Sequence, residues 1–408
     1  MRPAADSGLV LVAAAAWHDE HPGGANKLPT DFARFLARRG RRVAYLGASS
    51  NVASTSKDAV DGVEVWRYPS PRATSPSVAN LQRHWRAARA IAGDIHRESP
   101  VAALLGHAPL QYLAAAPVCG AARRCYAVHS PFVEELRQGM AGSLTLRQRA
   151  ALKAAAVVER RVLASSQIVH YDSAFTAHLV EAAYPGETAG KGIVLAGWVD
   201  ATRFRPPAEA RAAVRRRLGR PWQPGTPTFF TLRRLVPRMG IDALVEAAAL
   251  LAGRGLDFRV IVAGEGPCRA ALEAQAASLS LGGRIAFAGR LADAQLVDSF
   301  GAADCFVLPT RALECFGLIV LESLACGVPV IGMPVGSIPE VMGQELSSWL
   351  AARNDAASLA RRMEEFLAGA LTAEPATLRA RALEFSFEAV AARHEALLLG
   401  TLARGAVA

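Results

Sequence analysis

Residues 309–336 read PTRALECFGLIVLESLACGVPVIGMPVG, and this stretch decides the fold. The apolar run 303–308 enters it as a buried strand, which Pro309 closes, and a polar loop follows. Residues 318–326 are apolar on nearly all faces, which predicts a buried helix, with Gly327 as its C-terminal stop. Residues 328–332 then predict a second short buried strand. Strand, loop, helix and strand in succession form the repeating unit of a parallel sheet wrapped by helices. Two carboxylates, Glu314 and Glu322, with seven residues between them, fall in the loop and the early helix, near its positive end. That junction is where an open doubly wound α/β sheet places its ligand.

A single Glu here would be read as half of a buried salt bridge or as a solvated loop residue. Two of them, one on an otherwise apolar helix, point elsewhere, because an unpaired buried charge is costly. Phe316-Gly317 between them lets backbone approach a ligand closely. Carboxylates accept hydrogen bonds from sugar hydroxyls, and amides at a helix N-terminus attract phosphate, so a polyhydroxylated, phosphorylated ligand fits the pattern. Cys315, beside Glu314, has no base partner in the sequence and reads as a pocket-lining residue.

With 408 residues, 51% of them apolar, the chain can build two domains, each with its own core. No apolar run approaches the roughly 20 residues of a membrane-spanning helix. The N-terminal MRPAADSGLVLVAAAAW reads as a first strand, 9–15, better than as a secretory signal, and a cytoplasmic protein is expected. The six cysteines lack zinc or redox spacing, and no metal cluster is evident. Net charge is +10, carried almost wholly by arginine, since lysine occurs only at positions 27, 57, 153 and 191. The basic residues are scattered and not interleaved with aromatics, so nucleic acid is not an expected partner. Arg147, Arg149, Lys153, Arg160 and Arg161 share one long helical pattern; a solvated face is the first reading, and peripheral contact with the inner face of a membrane the second.

The first half predicts strands at 9–15, 42–46, 63–68, 102–105, 124–129, 167–171 and 193–196, with helices between. The first is followed by His18-Asp19-Glu20-His21 and then Gly23-Gly24, where backbone comes close enough to meet a phosphate. This is not the dinucleotide fingerprint, since G-x-G-x-x-G is missing. Asp19 and Glu20 form either a solvated loop or a seat for a cationic acceptor. His129 ends a buried strand; it reads equally as a core histidine and as a residue aimed into the same crevice. The pattern breaks near Gly197 and restarts with strands at 228–232, 258–263, 285–287 and 305–308, alternating with helices at 240–251, 267–279 and 293–300. Gly264 follows its strand directly and offers another close-approach loop. Two similar α/β halves suggest a cleft between domains.

These residues resemble a family. Arg233-Arg234-Leu235-Val236-Pro237-Arg238-Met239-Gly240, Gly264-Glu265-Gly266-Pro267 and the Glu314/Glu322 stretch stand in the order found in retaining glycosyltransferases of family 4. Gly23-Gly24, Val128-His129 and Val199 to Phe204 extend the likeness over essentially the whole chain. The resemblance implies an α/β, GT-B fold: two Rossmann-like domains facing across a cleft, with a C-terminal helix crossing back. Residues 1–196, with the crossing helix at about 387–408, are then the acceptor-binding domain, and 197–386 the nucleotide-sugar domain. The implied activity is transfer of a sugar from a UDP- or GDP-sugar cosubstrate to an acceptor hydroxyl, with retention and without a metal or other cofactor. The acceptor is a glycan, a lipid intermediate or a small metabolite.

Carried over by resemblance, Glu322 binds the donor ribose. Glu314, with Cys315, Phe316, Gly317 and Leu318, holds the transferred sugar and phosphate. Arg234 grips the diphosphate, Gly24 meets a donor phosphate, His129 stands beside the sugar, and Arg290 lies near the base. Where the family commonly has a lysine, five residues after its arginine, this chain has Met239; Arg238 is expected to supply the missing charge, with Arg233 as the other candidate. A phosphorylase of the pyridoxal phosphate type would need a lysine in the second half, which has none. The alternative outside catalysis is an inactive nucleotide-sugar-binding subunit, with Met239 as its first sign of decay.

Overall fold

The computed structural model describes residues 8–20, 24–70, 78–140, 144–219, 221–223 and 225–401. It divides into two compact units, one of Met1–Gly197 with Val390–Ala408 and one of Trp198–Ala389. Each is a doubly wound sheet.

The first unit contains β1 (Leu9–Ala13), β2 (Val43–Ser49), β3 (Ser56–Val60), β4 (Val63–Pro69), β5 (Val101–Gly106), β6 (Arg123–Val128), β7 (Ile168–Tyr171) and β8 (Gly192–Val194). Their order across the sheet is β3-β4-β2-β1-β5-β6-β7-β8. All neighbours are parallel except β3 and β4. A parallel sheet is covered on both faces, so its strands read as unbroken apolar runs, and β1 (LVLVA) is buried at every position. The sequence reading missed β3 because SKDAV is polar and mostly exposed. Its cause is local. Asp61 and Gly62, at φ 52° and 81°, make the tight turn that folds it antiparallel onto β4 at the sheet edge.

The last helix, Phe387–Leu399, contributes its residues from Val390 onward to this unit. The His394 ring lies 6.1 Å from that of Phe32 and 4.8 Å from that of His170. Buried Glu395 accepts from Arg39 at 2.7 Å and Arg41 at 2.8 Å, at the end of the helix Gly24–Arg38. Residues 402–408 of the expected crossing segment lie outside the described residues.

The second unit contains β9 (Thr228–Leu232), β10 (Arg259–Ala263), β11 (Ile285–Gly289), β12 (Cys305–Leu308) and β13 (Val330–Gly332), in the order β11-β10-β9-β12-β13, all parallel. Phe230, Phe300 and Phe306 pack edge-on and tilted at 5.4–5.7 Å beneath β9 and β12 and hold these two strands together. The expected helix at 318–326 is Leu318–Ala325, and the expected strand at 328–332 shortens to β13.

Glu395→Ala should lower the stability of the first unit by about 2 kcal/mol, the scale of charge-assisted hydrogen bonds lost from a buried carboxylate. The midpoint of that unit's transition in urea measures it, with an exposed control, Glu388→Ala, expected to move it little.

Candidate functional site

The chain leaves β9 toward β10 and leaves β12 toward β13, in opposite directions along the sheet. Such a reversal opens a crevice at the carboxyl ends of the two strands. Arg233 is the first residue after β9, and Pro309-Thr310 the first after β12. There the Arg233 guanidinium donates from Nη2 to the Glu314 carboxylate and, at 3.1 Å, to Thr310 Oγ1. Thr310 in turn donates to Glu314 Oε2 at 3.2 Å. The Arg233 and Glu314 side chains are only 9% and 12% exposed, so the charges sit in low dielectric and depend on one another. Arg233 Nη2 also lies 2.9 Å from Met239 Sδ, and its Nε is buried without a partner among the described residues.

Backbone geometry fixes the Glu314 loop. Leu313 has φ 56°, in the left-handed region that a leucine enters only when its surroundings demand it, and its carbonyl accepts from Arg238 Nη1 at 3.0 Å. The Glu314 carbonyl accepts from the Ser337 amide at 2.9 Å and the Ser337 hydroxyl at 3.0 Å. Gly336, at φ 61°, lies so close that a Cβ there would stand 2.2 Å from the Glu314 oxygen. Gly317, at φ 79°, starts the helix Leu318–Ala325, and no side chain caps it. Its first amides are therefore left to an acceptor from elsewhere. Cys315 and Phe316 are buried, while Leu318 and Glu322 are half-buried.

Other expected groups are placed differently. Arg234 is exposed, so of the Arg233-Arg234 doublet the first residue joins Glu314, not the second. Arg238 is engaged with the loop backbone at Leu313. The Gly264 amide donates to the Gly289 carbonyl at 2.7 Å, which commits it to the sheet edge and not to a ligand. Arg290 is exposed, directly after β11.

In the first unit, Gly24 opens the helix Gly24–Arg38, and Gly23 and His21 lie outside the described residues. Asp19 is paired with Arg34 at 2.5 Å and Glu20 with Arg67 at 2.5 Å. Both carboxylates are thus already neutralised, and a cationic acceptor would have to displace an arginine from each. Arg147, Arg149, Lys153, Arg160 and Arg161 are all exposed on the helix Leu146–Ser165. No helix among the described residues is long and apolar enough to cross a membrane.

His129 follows β6 and does not stand alone. Its Nδ1 lies 2.6 Å from Asp172 Oδ2 and its Nε2 lies 2.7 Å from His107 Nδ1. His107 is the first residue after β5 and Asp172 the first after β7, so three neighbouring parallel strands each end in one member of the chain. Burial opposes a charge on His129, but the Asp172 carboxylate outweighs it and raises the His129 pKa. Burial also disfavours the Asp172 carboxylate, yet His129 holds its pKa below the usual carboxylate value. Burial, with the neighbouring imidazoles, pushes His107 well down. Asp172 and His107 escaped the sequence reading; the signal available was a polar residue directly after each of two buried strands.

Comparison with known proteins bears on the fold and on the second unit. Residues 217–383 match the family model described as glycosyl transferases group 1. Across 96% of this chain and 98% of its own, the sucrose-phosphate synthase of Thermosynechococcus elongatus superposes with a TM-score of 0.77 at 20% identity. The fold is GT-B. Among curated relatives, a GDP-mannose-dependent monoacylated alpha-(1-6)-phosphatidylinositol monomannoside mannosyltransferase of Corynebacterium glutamicum is 30% identical over 190 residues, 45% of this chain and 48% of that protein. A D-inositol 3-phosphate glycosyltransferase of Streptomyces avermitilis is 32% identical over 221 residues, 50% of this chain and 47% of that one. The chain thus spans about half the length of the curated relatives it matches. On this GT-B frame the Arg233–Glu314 pair lies in the unit that contains the matched segment.

Gly336→Ala tests how tightly that pair is held. The added methyl must push the Glu314 carbonyl away in a backbone conformation already unfavourable to alanine, so the second unit should lose about 2 kcal/mol. Gly282→Ala, where a Cβ meets nothing within 4 Å, should change urea stability by less than about 0.5 kcal/mol.

Proposed function

We propose that the protein is a retaining, metal-independent glycosyltransferase that moves a sugar from a UDP- or GDP-sugar to an acceptor hydroxyl. The observation that carries this reading is the Arg233–Glu314–Thr310 cluster beside an uncapped helix start at the switch point of the second sheet. The family match over residues 217–383 and the activities in the relatives' names support it. Glu322 takes the ribose hydroxyls and Glu314 the hydroxyls of the transferred sugar. The amides from Cys315 through Leu318 take the phosphate, and Arg290 lies toward the base. As the anomeric carbon–oxygen bond breaks, its electron pair goes to the diphosphate, and the acceptor oxygen bonds to the anomeric carbon as it loses its proton. Fixed cations and helix-end amides then stabilise the negative charge where it develops.

The diphosphate-gripping charge belongs to Arg233 in this reading, with the exposed Arg234 in a secondary role. Arg233 reaches Met239 and so fills the space beside the residue that replaces a lysine. Arg238 shapes the Glu314 loop through Leu313. The acceptor class is a glycolipid or a small polyhydroxylated metabolite, by analogy with the substrates in the relatives' names. A lipid acceptor would suit the exposed basic face of the helix Leu146–Ser165 and its 84% exposed Leu146, resting on an anionic surface at the inner face of a membrane.

A panel of nucleotide sugars should raise the melting temperature for the true donor, because a ligand of the folded state alone adds stability with concentration. The same donor should be slowly hydrolysed, and a panel with neither effect ends the enzyme reading. Arg233→Ala should then reduce kcat/KM about 100-fold or more, the scale of losing one fixed charge-stabilising donor. Arg234→Ala should cost less than about tenfold, and the opposite ranking would return the role to Arg234.

A further inference from the structure

Three histidines and one aspartate occupy the carboxyl edge of the first sheet or lie just behind it, and the last helix adds a fourth imidazole. Asp172 Oδ2 is 2.6 Å from His129 Nδ1, and Asp172 Oδ1 is 3.7 Å from His170 Nε2. The His170 Nε2 also lies 2.8 Å from the Leu195 carbonyl, which accepts its proton, and the His394 Nδ1 lies 3.1 Å from the Val390 carbonyl. Those two imidazoles are therefore fixed by backbone. Burial lowers the pKa of His170, and pushes that of His394 down to about 3, so both stay neutral at ordinary pH. One carboxylate and one mobile proton remain, and the proton resides on His129.

The tautomers follow from the geometry. His129 Nδ1 must carry hydrogen, because its partner is a carboxylate that only accepts. His129 Nε2 and His107 Nδ1, two ring nitrogens 2.7 Å apart, need one hydrogen between them. If His129 is an imidazolium, that hydrogen is on His129 Nε2, His107 accepts at Nδ1, and His107 Nε2 carries an N–H. If His129 is neutral, the hydrogen moves to His107 Nδ1, and His107 Nε2 becomes a bare lone pair. Both nitrogens of His129 are occupied in either state. The nitrogen left over is His107 Nε2, which is buried and has no partner among the described residues. A buried imidazole nitrogen left unmatched costs free energy that a ligand oxygen would recover.

We propose that Asp172, His129 and His107 form a polarised relay in which Asp172 keeps His129 protonated, so that His107 Nε2 presents an N–H to a hydroxyl or phosphate oxygen of the substrate. The proposal rests on the glycosyltransferase reading for its substrate and on the three side chains for its polarity. It changes the part given to His129. His129 and Asp172 are positioning residues, and His107 is the one that touches substrate.

The pH dependence has a definite sign. His129 has its folded pKa raised above the ordinary histidine value. The stabilisation from its charge is therefore complete below about pH 6.5 and lost as pH rises through the raised value. The donor state of His107 disappears over the same window. The titratable groups around His129 are His107 on the β5 side, Asp172 and His170 on the β7 side, His394 on the last helix, and Glu135, which accepts from the neighbouring Ser130.

Nitrogen-15 NMR of the full chain labelled at histidine reads the tautomers directly, with His107→Gln and His129→Gln for assignment. Below its midpoint, which should lie above pH 6.5, His129 is expected to carry two protons while His107 is the neutral Nε2–H tautomer. Above it His107 should switch to Nδ1–H, and Asp172→Asn should lower the midpoint by about one unit or more. A His107 that is Nδ1–H throughout, or a midpoint indifferent to Asp172→Asn, overturns the relay whether or not any sugar is transferred. With the donor found above, kcat/KM should fall on the alkaline side, and Asp172→Asn should move that limb to lower pH. His107→Phe should lose about tenfold or more, with partial recovery in His107→Gln, whose amide can still donate. Turnover unaffected by His107→Phe would refute the substrate contact alone. An intact NMR pattern in a protein that binds and hydrolyses no nucleotide sugar would instead remove the glycosyltransferase reading and the substrate half of the relay with it.

Discussion

A parallel sheet covered on both faces leaves little room for polar side chains except at its ends, and this constraint places most groups of the candidate sites. The strands themselves, such as LVLVA in β1 and CFVL in β12, are buried throughout. Polar chemistry therefore begins at the first residue after a strand: His107 after β5, His129 after β6, Asp172 after β7, Arg233 after β9 and Thr310 just beyond β12. Because neighbouring parallel strands all end on one edge, residues remote in sequence arrive within hydrogen-bond distance, in the case of Glu314 with the help of its shaped loop. His129 reaches Asp172 across 43 positions, and Arg233 reaches Glu314 across 81.

Burial makes these groups interdependent. A charge at a sheet edge that is only about a tenth exposed is held by its partner, since an unpaired one would be expelled or neutralised. At these strand ends Arg233 opposes Glu314 in the second unit, and His129 opposes Asp172 in the first. The two pairs differ in what they can do. An arginine keeps its proton at any working pH, so the first pair is a permanent charge arrangement. A histidine can gain or lose its proton, and the Asp172 carboxylate raises the pKa of His129, so the second pair is the one whose charge can change.

Much of this architecture was legible in the sequence. The boundaries of β9 and β12 were read to the residue, because TFFTL and CFVL are mainly apolar and are bounded by proline and charge. The Glu314 loop was legible as a candidate site because its carboxylates stood out against an apolar background. β3 was not legible, since a short polar edge strand has no periodicity to detect and owes its pairing to a two-residue turn. Nor was the pairing of Arg233 with Glu314. Adjacent residues leaving a strand turn to opposite sides, and identical side chains give no clue to which one turns inward. Asp172 was missed for a further reason. Its meaning lies in His107 and His129, and hydrogen bonds between strand ends are a property of sheet order, which a local pattern does not carry.

Side-chain geometry accounts for a methionine at 239, where the family that the chain resembles commonly has a lysine. A lysine at 239 would place a second ammonium within a few ångströms of the Arg233 guanidinium, with the Glu314 carboxylate as the near counter-charge. Two cations beside one anion need a further anion to be stable when buried. A methionine removes the excess charge, and its flexible, polarisable thioether still fills the space and touches Arg233. Thr310 supplies the remaining polar contact. With one arginine matched to one glutamate, the Arg233–Glu314 pair is electrically balanced. An entering diphosphate would then compete with Glu314 for Arg233 and release the carboxylate toward sugar hydroxyls, so charge capture and sugar orientation would be coupled in a single exchange of partners.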